Sequence, residues 1–250
     1  MKKNLFVLNV LSCVMLFTSC ENSKMTISPS HVTLHFEDEV GLTIIDNRSN
    51  VNWATDDEFV ASVNNNGIVT AEHVGITTIT AKNGKEEAYC SVSVTPEYHT
   101  YNEPIMDWGC SKQTIISRKG TPDSNQSNAI AYLQNESKGI LEMYMFENGK
   151  LTSSGIILKL SYTNTDVASF LLERYQPITI TDDGTYGFIN AMTLEKANLM
   201  VALTIEDIIL VAYGPLDSDK YNISSRCPAK SRIEEQEKLI TYFYNQLLLK

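Results

Sequence analysis

The sequence predicts a multidomain chain in which an all-β sandwich precedes an α+β domain with an antiparallel sheet and a C-terminal helix. Three observations predict it. From about residue 25 to 95, short runs alternate apolar and polar residues between recurrent turn signals, with no helical period. A stretch bounded by Pro96 and Pro104 then breaks the rhythm. Beyond it, helical and strand patterns alternate twice before a helical tail.

Ahead of both parts stands a leader. Lys2 and Lys3 form a positive n-region, Leu5 to Phe17 an apolar h-region, and Phe17-Thr18-Ser19-Cys20 places small residues just before a cysteine. Asn9 and Ser12 interrupt the apolar run, which falls short of the about 20 apolar residues a spanning helix needs. This is the pattern of a bacterial lipoprotein signal, although Phe17 stands where Leu is usual. Residues 1–19 are expected to be removed, leaving Cys20 as the acylated, palmitate-bearing N-terminus and residues 20–24 as a polar tether. The alternative is an ordinary secretory signal cut nearby. The expected location is the outer membrane, lipid-anchored, at the cell surface.

Losing Lys2 and Lys3 moves the formal charge from −10 to −12. An acidic chain without a basic run argues against nucleic acid, whose binding releases counterions through Lys and Arg clusters. After the leader no apolar stretch approaches spanning length, so contact with the membrane is expected through the lipid anchor only.

The first part, 25–95, begins with His31-Val32-Thr33-Leu34-His35-Phe36, where Val32, Leu34 and Phe36 share one face. Turns are expected at Glu37-Asp38-Glu39, Asp46 to Asn50, Asn64 to Gly67 and Lys82 to Lys85. Ala88 to Val94 puts Cys90, Val92 and Val94 on one face of a closing strand. Trp53 is expected as the large core aromatic, Asn66-Gly67 as a positive-φ hairpin turn, and Gly75 as relief for the bend before the next strand.

Four segments of this part resemble the group 2 bacterial Ig-like domains. They are Val51 to Asp56, Val60 to Ala71, Gly75 to Ala81, and Cys90 to Val94, in that order and with the expected gaps. The resemblance implies an Ig-like sandwich, and that family often implies adhesion.

Residues 96–104 are expected as a linker and 105–250 as the α+β domain. Gly109-Cys110-Ser111 leads into a helix at Lys112 to Lys119, closed by Gly120 and Pro122. Strands are expected at Ala129 to Leu133, Gly139 to Glu147 and Lys150 to Leu160, with Asn148-Gly149 as a hairpin turn. The series then repeats: a helix at Asp166 to Tyr175 stopped by Pro177, and strands at Thr185 to Thr193, Ala197 to Ile205 and Asp207 to Tyr213. Two helix-plus-three-strand units are therefore expected to build one sheet, helices on one face. The element order, with Gly109-Cys110-Ser111 and Tyr144 to Leu151, vaguely resembles the small α+β fold of an outer-membrane assembly lipoprotein and the β-lactamase inhibitor proteins; nothing functional follows from it. Ser231 to Glu234 is a capping box, and Ile233, Leu239 or Ile240, Phe243 and Leu247 form an apolar stripe. That helix either docks on the preceding sheet or binds a partner.

Cys90, Cys110 and Cys227 follow Cys20. Cys90 reads as a buried strand residue, which leaves Cys110 with Cys227 as the pair to consider, or all three as free thiols.

A search for chemistry finds no catalytic motif. His31, His35, His73 and His99 are scattered, and His31 and His35 lie about 13 Å apart at strand rise, too far to share a metal. The acids Asp56-Asp57-Glu58, Asp182-Asp183 and Glu206-Asp207, weighed as the acid pair of a glycoside hydrolase, fall at expected turns, and a calcium site at Asp56-Asp57-Glu58 or Glu37-Asp38-Glu39 is weighed against solvated turns. No catalytic residue, metal ligand or cofactor is expected, and the only site residue is Cys20. Tyr98 and Tyr101 are the aromatics expected to be exposed, and Trp108 a packing anchor. The function expected is a binding or adhesion-type lipoprotein without catalytic activity, its partner a protein or glycan. The alternatives are a periplasmic assembly or inhibitor lipoprotein and a carbohydrate-processing enzyme.

Overall fold

The computed structural model describes residues 24–46, 50–135, 139–160, 164–180 and 185–216. The leader with Cys20, the pair Asp182-Asp183, Cys227 and the expected helix after Ser231 lie outside the described residues.

The first part contains β1 (Ile27–Ser28), β2 (His31–Leu34), β3 (Glu39–Gly41), β4 (Thr43–Ile44), β5 (Asn52–Thr55), β6 (Ala61–Val63), β7 (Ile68–Ala71), β8 (Gly75–Asn83) and β9 (Glu86–Val94). One sheet has the order β2-β9-β8-β5, a second β3-β7-β6, and β1 pairs with β4. β2 runs parallel to β9, while β8 and β5 continue that sheet antiparallel. Alternation does the sorting. In β9, Ala88, Cys90, Val92 and Val94 are buried while Tyr89 faces solvent. Val69, Ile79, Ala81, Cys90 and Val92 lose all exposure, and each branched aliphatic buried this way contributes about 1.5–3 kcal/mol. Cys90 is a buried free thiol and Cys110 a partly buried one.

Trp53 is half-buried and packs against this core rather than filling its centre. Its ring explains Gly67. A Cβ there would sit 2.7 Å from Trp53 Cζ2, and the residue has φ +76°. Both the crowding and the left-handed backbone therefore demand glycine. Gly75 has a different reason from the expected bend, because a Cβ would lie 2.6 Å from Val60 Cγ2.

The second part contains α1 (Lys112–Lys119), β10 (Ser124–Asn125), β11 (Ala129–Asn135), β12 (Ile140–Glu147), β13 (Lys150–Lys159), α2 (Asn164–Leu172), β14 (Gln176–Ile180), β15 (Tyr186–Ile189), β16 (Leu199–Ile205) and β17 (Ile208–Pro215). Eight strands form one antiparallel sheet in the order β10-β11-β12-β13-β17-β16-β15-β14. Each helix is followed by four strands, not the three expected. The extra ones are short or marginal: β10 has two residues, and β14 starts at Gln176 and contains Pro177. Helix α2 ends before Pro177, as expected, and the proline falls within β14, the sheet's last strand, an edge where a missing N–H costs no ladder bond; the register shifts between Pro177 and Thr179.

Helix α1 begins at Ser111, whose Oγ accepts from Thr114 N, and ends where Gly120 N–H donates to Ile116 O at φ +88°. Ile115 of α1 packs with Ile130, Tyr144 and Leu151. Val167, Phe170 and Leu171 of α2 pack with Ile156, Val201, Val211 and Tyr213. The register runs Tyr144 to Ser154 to Tyr213 to Val201, so both helices cover the same face of the sheet.

Candidate binding surface and domain junction

The outward face of the β2-β9-β8-β5 sheet sets an exposed aromatic among hydroxyl and charged side chains. Its side chains are set by the two-residue period: Thr78, Thr80 and Lys82 on β8, Glu87, Tyr89, Ser91 and Ser93 on β9, with His31 and Thr33 at one edge. Register places Tyr89 beside Thr80, Glu87 beside Lys82, and Ser91 between Thr78 and His31. Tyr89 is 55% exposed and Ile76, on the same face, 75%. The Tyr89 hydroxyl donates to Glu87 Oε2 at 2.7 Å, and Lys82 Nζ holds Glu87 Oε1 at 2.7 Å. That chain of bonds holds the Glu87 carboxyl below its ordinary range and pushes the Lys82 ammonium and the Tyr89 phenol up. The result is an aromatic ring fixed on a hydroxyl-lined sheet, chemistry suited to stacking and hydrogen bonding rather than proton transfer.

A second cluster joins the two parts. His73, 3% exposed, lies just before β8, stacks on Phe59 at 4.1 Å with 5° between planes, and bonds Phe59 O through Nδ1 at 2.8 Å. The Tyr175 backbone of the second part is also a hydrogen-bond partner, yet burial dominates and lowers the imidazole's pKa. Next to it, Val74 N–H donates to Glu173 O at 2.7 Å. The Glu173 carboxylate is fully buried and accepts from Glu97 N at 2.9 Å, Tyr98 N at 3.2 Å and the Arg174 guanidinium. Arg174 in turn reaches Tyr98 O at 3.2 Å and lies over the Phe170 ring. A buried carboxylate with this many donors is satisfied, and removing it would orphan the Glu97 and Tyr98 N–H groups and take from Arg174 its buried counter-charge.

Residues 96–104, expected as a linker, are thereby fastened down. Tyr101, expected to be exposed, is 6% exposed; its hydroxyl pairs with Tyr213 Oη at 2.7 Å and its ring meets Phe170. Tyr98 is partly buried against the same cluster. The amphipathic ring of tyrosine lets a polar sequence supply core. Burial raises the Tyr101, Tyr175 and Tyr213 hydroxyls well above their ordinary pKa. Trp108 packs against both clusters beneath the helices, the anchor role expected of it.

The other sequence candidates are dispersed. His31, His35 and His99 are exposed. Asp57 Oδ1 accepts from Phe59 N at 2.9 Å, and Asp38 Oδ2 from His35 N at 2.8 Å, so both acids order turns. Glu206 and Asp207 occupy the exposed β16–β17 turn. Among the described residues no group of three His, Cys, Asp or Glu is placed to hold a metal.

Among the buried polar residues that sequence reasoning missed are His73, Glu173 and Glu142. Glu142, fully buried on β12, accepts from Lys119 Nζ at 2.8 Å, Gln134 Nε2 at 2.9 Å and the Tyr144 hydroxyl. The signal for Glu142 was available, since it is the one charged residue inside the apolar run Ile140 to Phe146. Partners of His73 and Glu173 lie up to about a hundred positions away, and no local pattern marks them.

Residues 23–100 match the family of bacterial Ig-like domains, group 2. No curated protein matches the chain. Among solved structures, domains 5–6 of the S-layer protein SbsC share 18% identity at a TM-score of 0.24, covering 79% of this chain and 85% of that one. A longer SbsC structure shares 16% at 0.24, covering 74% of this chain and 24% of its own length. A SusE-like surface located polysaccharide binding protein from the Bacteroides thetaiotaomicron heparin utilisation locus shares 10% at 0.22, covering 78% and 33%.

Proposed function

We infer, from an N-terminal part that matches the group 2 bacterial Ig-like domains, that this chain is an extracytoplasmic binding lipoprotein of the adhesion type, without catalytic activity. The lipid sits on Cys20, and the protein is held at the outer membrane, facing the cell exterior. The exposed Tyr89 ring on its hydroxyl-lined sheet carries the reading, because aromatic faces flanked by hydroxyls and amides recognise sugar rings and peptide surfaces alike. The ligand is a glycan or a protein. Acids near a basic or hydroxyl partner, Glu87, Glu142 and Glu173, are already engaged, which supports binding over turnover.

Two measurements test this. Incorporation of an alkynyl palmitate analogue is expected in the native chain and lost in Cys20→Ala, together with membrane retention. Protease shaving or antibody labelling of intact cells is expected to reach the protein. Protection until the outer membrane is opened would overturn surface display and favour the second reading, a periplasmic assembly or inhibitor lipoprotein, to which the continuous eight-stranded sheet lends support.

A further inference from the structure

Helices α1 and α2 cover one face of the eight-stranded sheet. The opposite face carries its own apolar cluster: Ala129, Ala131, Leu141, Met143 and Ile157, with Leu133, Met145, Ile208 and Leu210 around it. Register lines up Leu133, Leu141, Ile157 and Leu210 in one row across β11, β12, β13 and β17. Leu141 and Ile157 have no exposure and Met143 only 3%. Yet every member of the cluster comes from those four strands, and among the described residues no helix or loop joins it. A leucine or isoleucine in the middle of an open sheet face keeps part of its surface in water, so burial this complete requires a second layer. The far end of the same face shows what such a layer does: Ile189 and Met200 pack with Ala191, Leu194 and Ala197 from the segment between β15 and β16.

We propose that the C-terminal segment after Ser231 forms an amphipathic helix lying across this face and burying the cluster built on Leu141, Met143 and Ile157. Three facts select it over other occupants. The described chain ends at Leu216, just past β17, a strand that itself contributes Ile208 and Leu210 to the patch. From there residues 217–230 reach up to about 45 Å and a helix from 231 to 247 measures about 25 Å, enough to cross four strands spaced about 4.8 Å apart. At helical period Ile233, Ile240, Phe243 and Leu247 fall on one side, while Glu234, Lys238 and Asn245 fall on the other. A short helix of this kind is marginal alone and an open apolar face is aggregation-prone, so each supplies what the other lacks. Tethering also gives the segment an effective concentration of about millimolar, well above that of a second copy. This docking closes the second sheet face to partners and leaves the Tyr89 surface as the exposed recognition face.

The test places a benzophenone photocrosslinker at Met145, a partly buried margin residue, in the full mature chain. Mass-spectrometric mapping is expected to find the crosslink within residues 231–250 of the same chain. A crosslink between chains, to any other segment, or to none overturns the proposal. Phe243→Asp with Leu247→Asp is the second arm, with far-UV circular dichroism as a check on the fold. Crosslink yield is expected to fall about tenfold or more and hydrophobic-dye binding to rise, because a charge on an apolar face disfavours docking. An unchanged crosslink and unchanged dye binding in that variant also contradict it.

Discussion

The Ig-like sandwich and the eight-stranded domain solve the same problem, burying one face of a sheet, with different materials. The sandwich buries aliphatics and Cys90, and among the described residues its buried polar side chains are His73 and Thr77. The second domain buries Glu142, Glu173, Ser154 and the tyrosines Tyr101, Tyr132, Tyr144, Tyr175 and Tyr213. Apolar packing is non-directional and tolerates small shifts, whereas a buried carboxylate with fixed donors tolerates few geometries. Buried polar groups therefore mark where this chain fixes geometry. One such place is the Glu142 cluster under α1, and the other is the junction where His73 and Val74 meet Glu173 and Tyr175.

The largest effect should come from Glu173→Ala. It leaves the Glu97 and Tyr98 N–H groups without an acceptor and Arg174 without its buried carboxylate partner, and breaking such a buried set costs about 3–5 kcal/mol. Chemical denaturation should show that loss, and a change below about 1 kcal/mol would deny the junction its role. Within the sandwich, Gly67→Ala forces a Cβ against Trp53 in left-handed backbone and should cost about 2 kcal/mol or more. Its signature is a shifted Trp53 fluorescence transition.

Acid sharpens the contrast further. The folded state holds His73 with a lowered pKa, so the unfolded chain binds the proton more readily. The stability due to the neutral imidazole is complete above its unfolded pKa of about 6.5 and is lost as pH falls through the lower folded value. Denaturation midpoints measured from pH 7.5 down to 5 should fall, and His73→Gln should flatten that slope. An equal slope in the variant would assign the acid sensitivity elsewhere. The smallest effects on stability belong to the Tyr89 surface. Lys82→Ala and Tyr89→Ala should leave the denaturation midpoint unchanged, because exposed pairs contribute little. Tyr89→Ala should nonetheless abolish binding to whichever glycan or protein a screen of the native chain identifies, and retained binding would move the site off this face.

Legibility in the sequence followed the same division. Asn66-Gly67 and Asn148-Gly149 announced their turns, and the structure gives Gly67, Asn148 and Gly149 positive φ. Ser111 and Gly120 marked the ends of α1 because caps are local chemistry. Cys90 followed from alternation alone. What escaped was non-local or polar. An edge strand containing Pro177 looks like a stop, a tyrosine-rich stretch with Tyr101 looks like a linker, and a buried Glu173 looks like any surface acid until its donors arrive from elsewhere in the chain. The Tyr89 surface was half legible: β9's alternation turns Tyr89 away from Cys90, but its bond to Glu87 and the neighbouring Lys82 depends on strand pairing.

The chain has two tryptophans, and they fall one in each region: Trp53 in the sandwich and Trp108 beneath α1. The most direct test of a junction that makes the two regions one cooperative unit is denaturation followed by fluorescence in Trp53→Phe and in Trp108→Phe. Coincident midpoints in both variants, splitting into two when Glu173→Ala is added, are the predicted result. Separate midpoints with Glu173 intact would contradict it and leave the regions as independent domains joined by a passive segment.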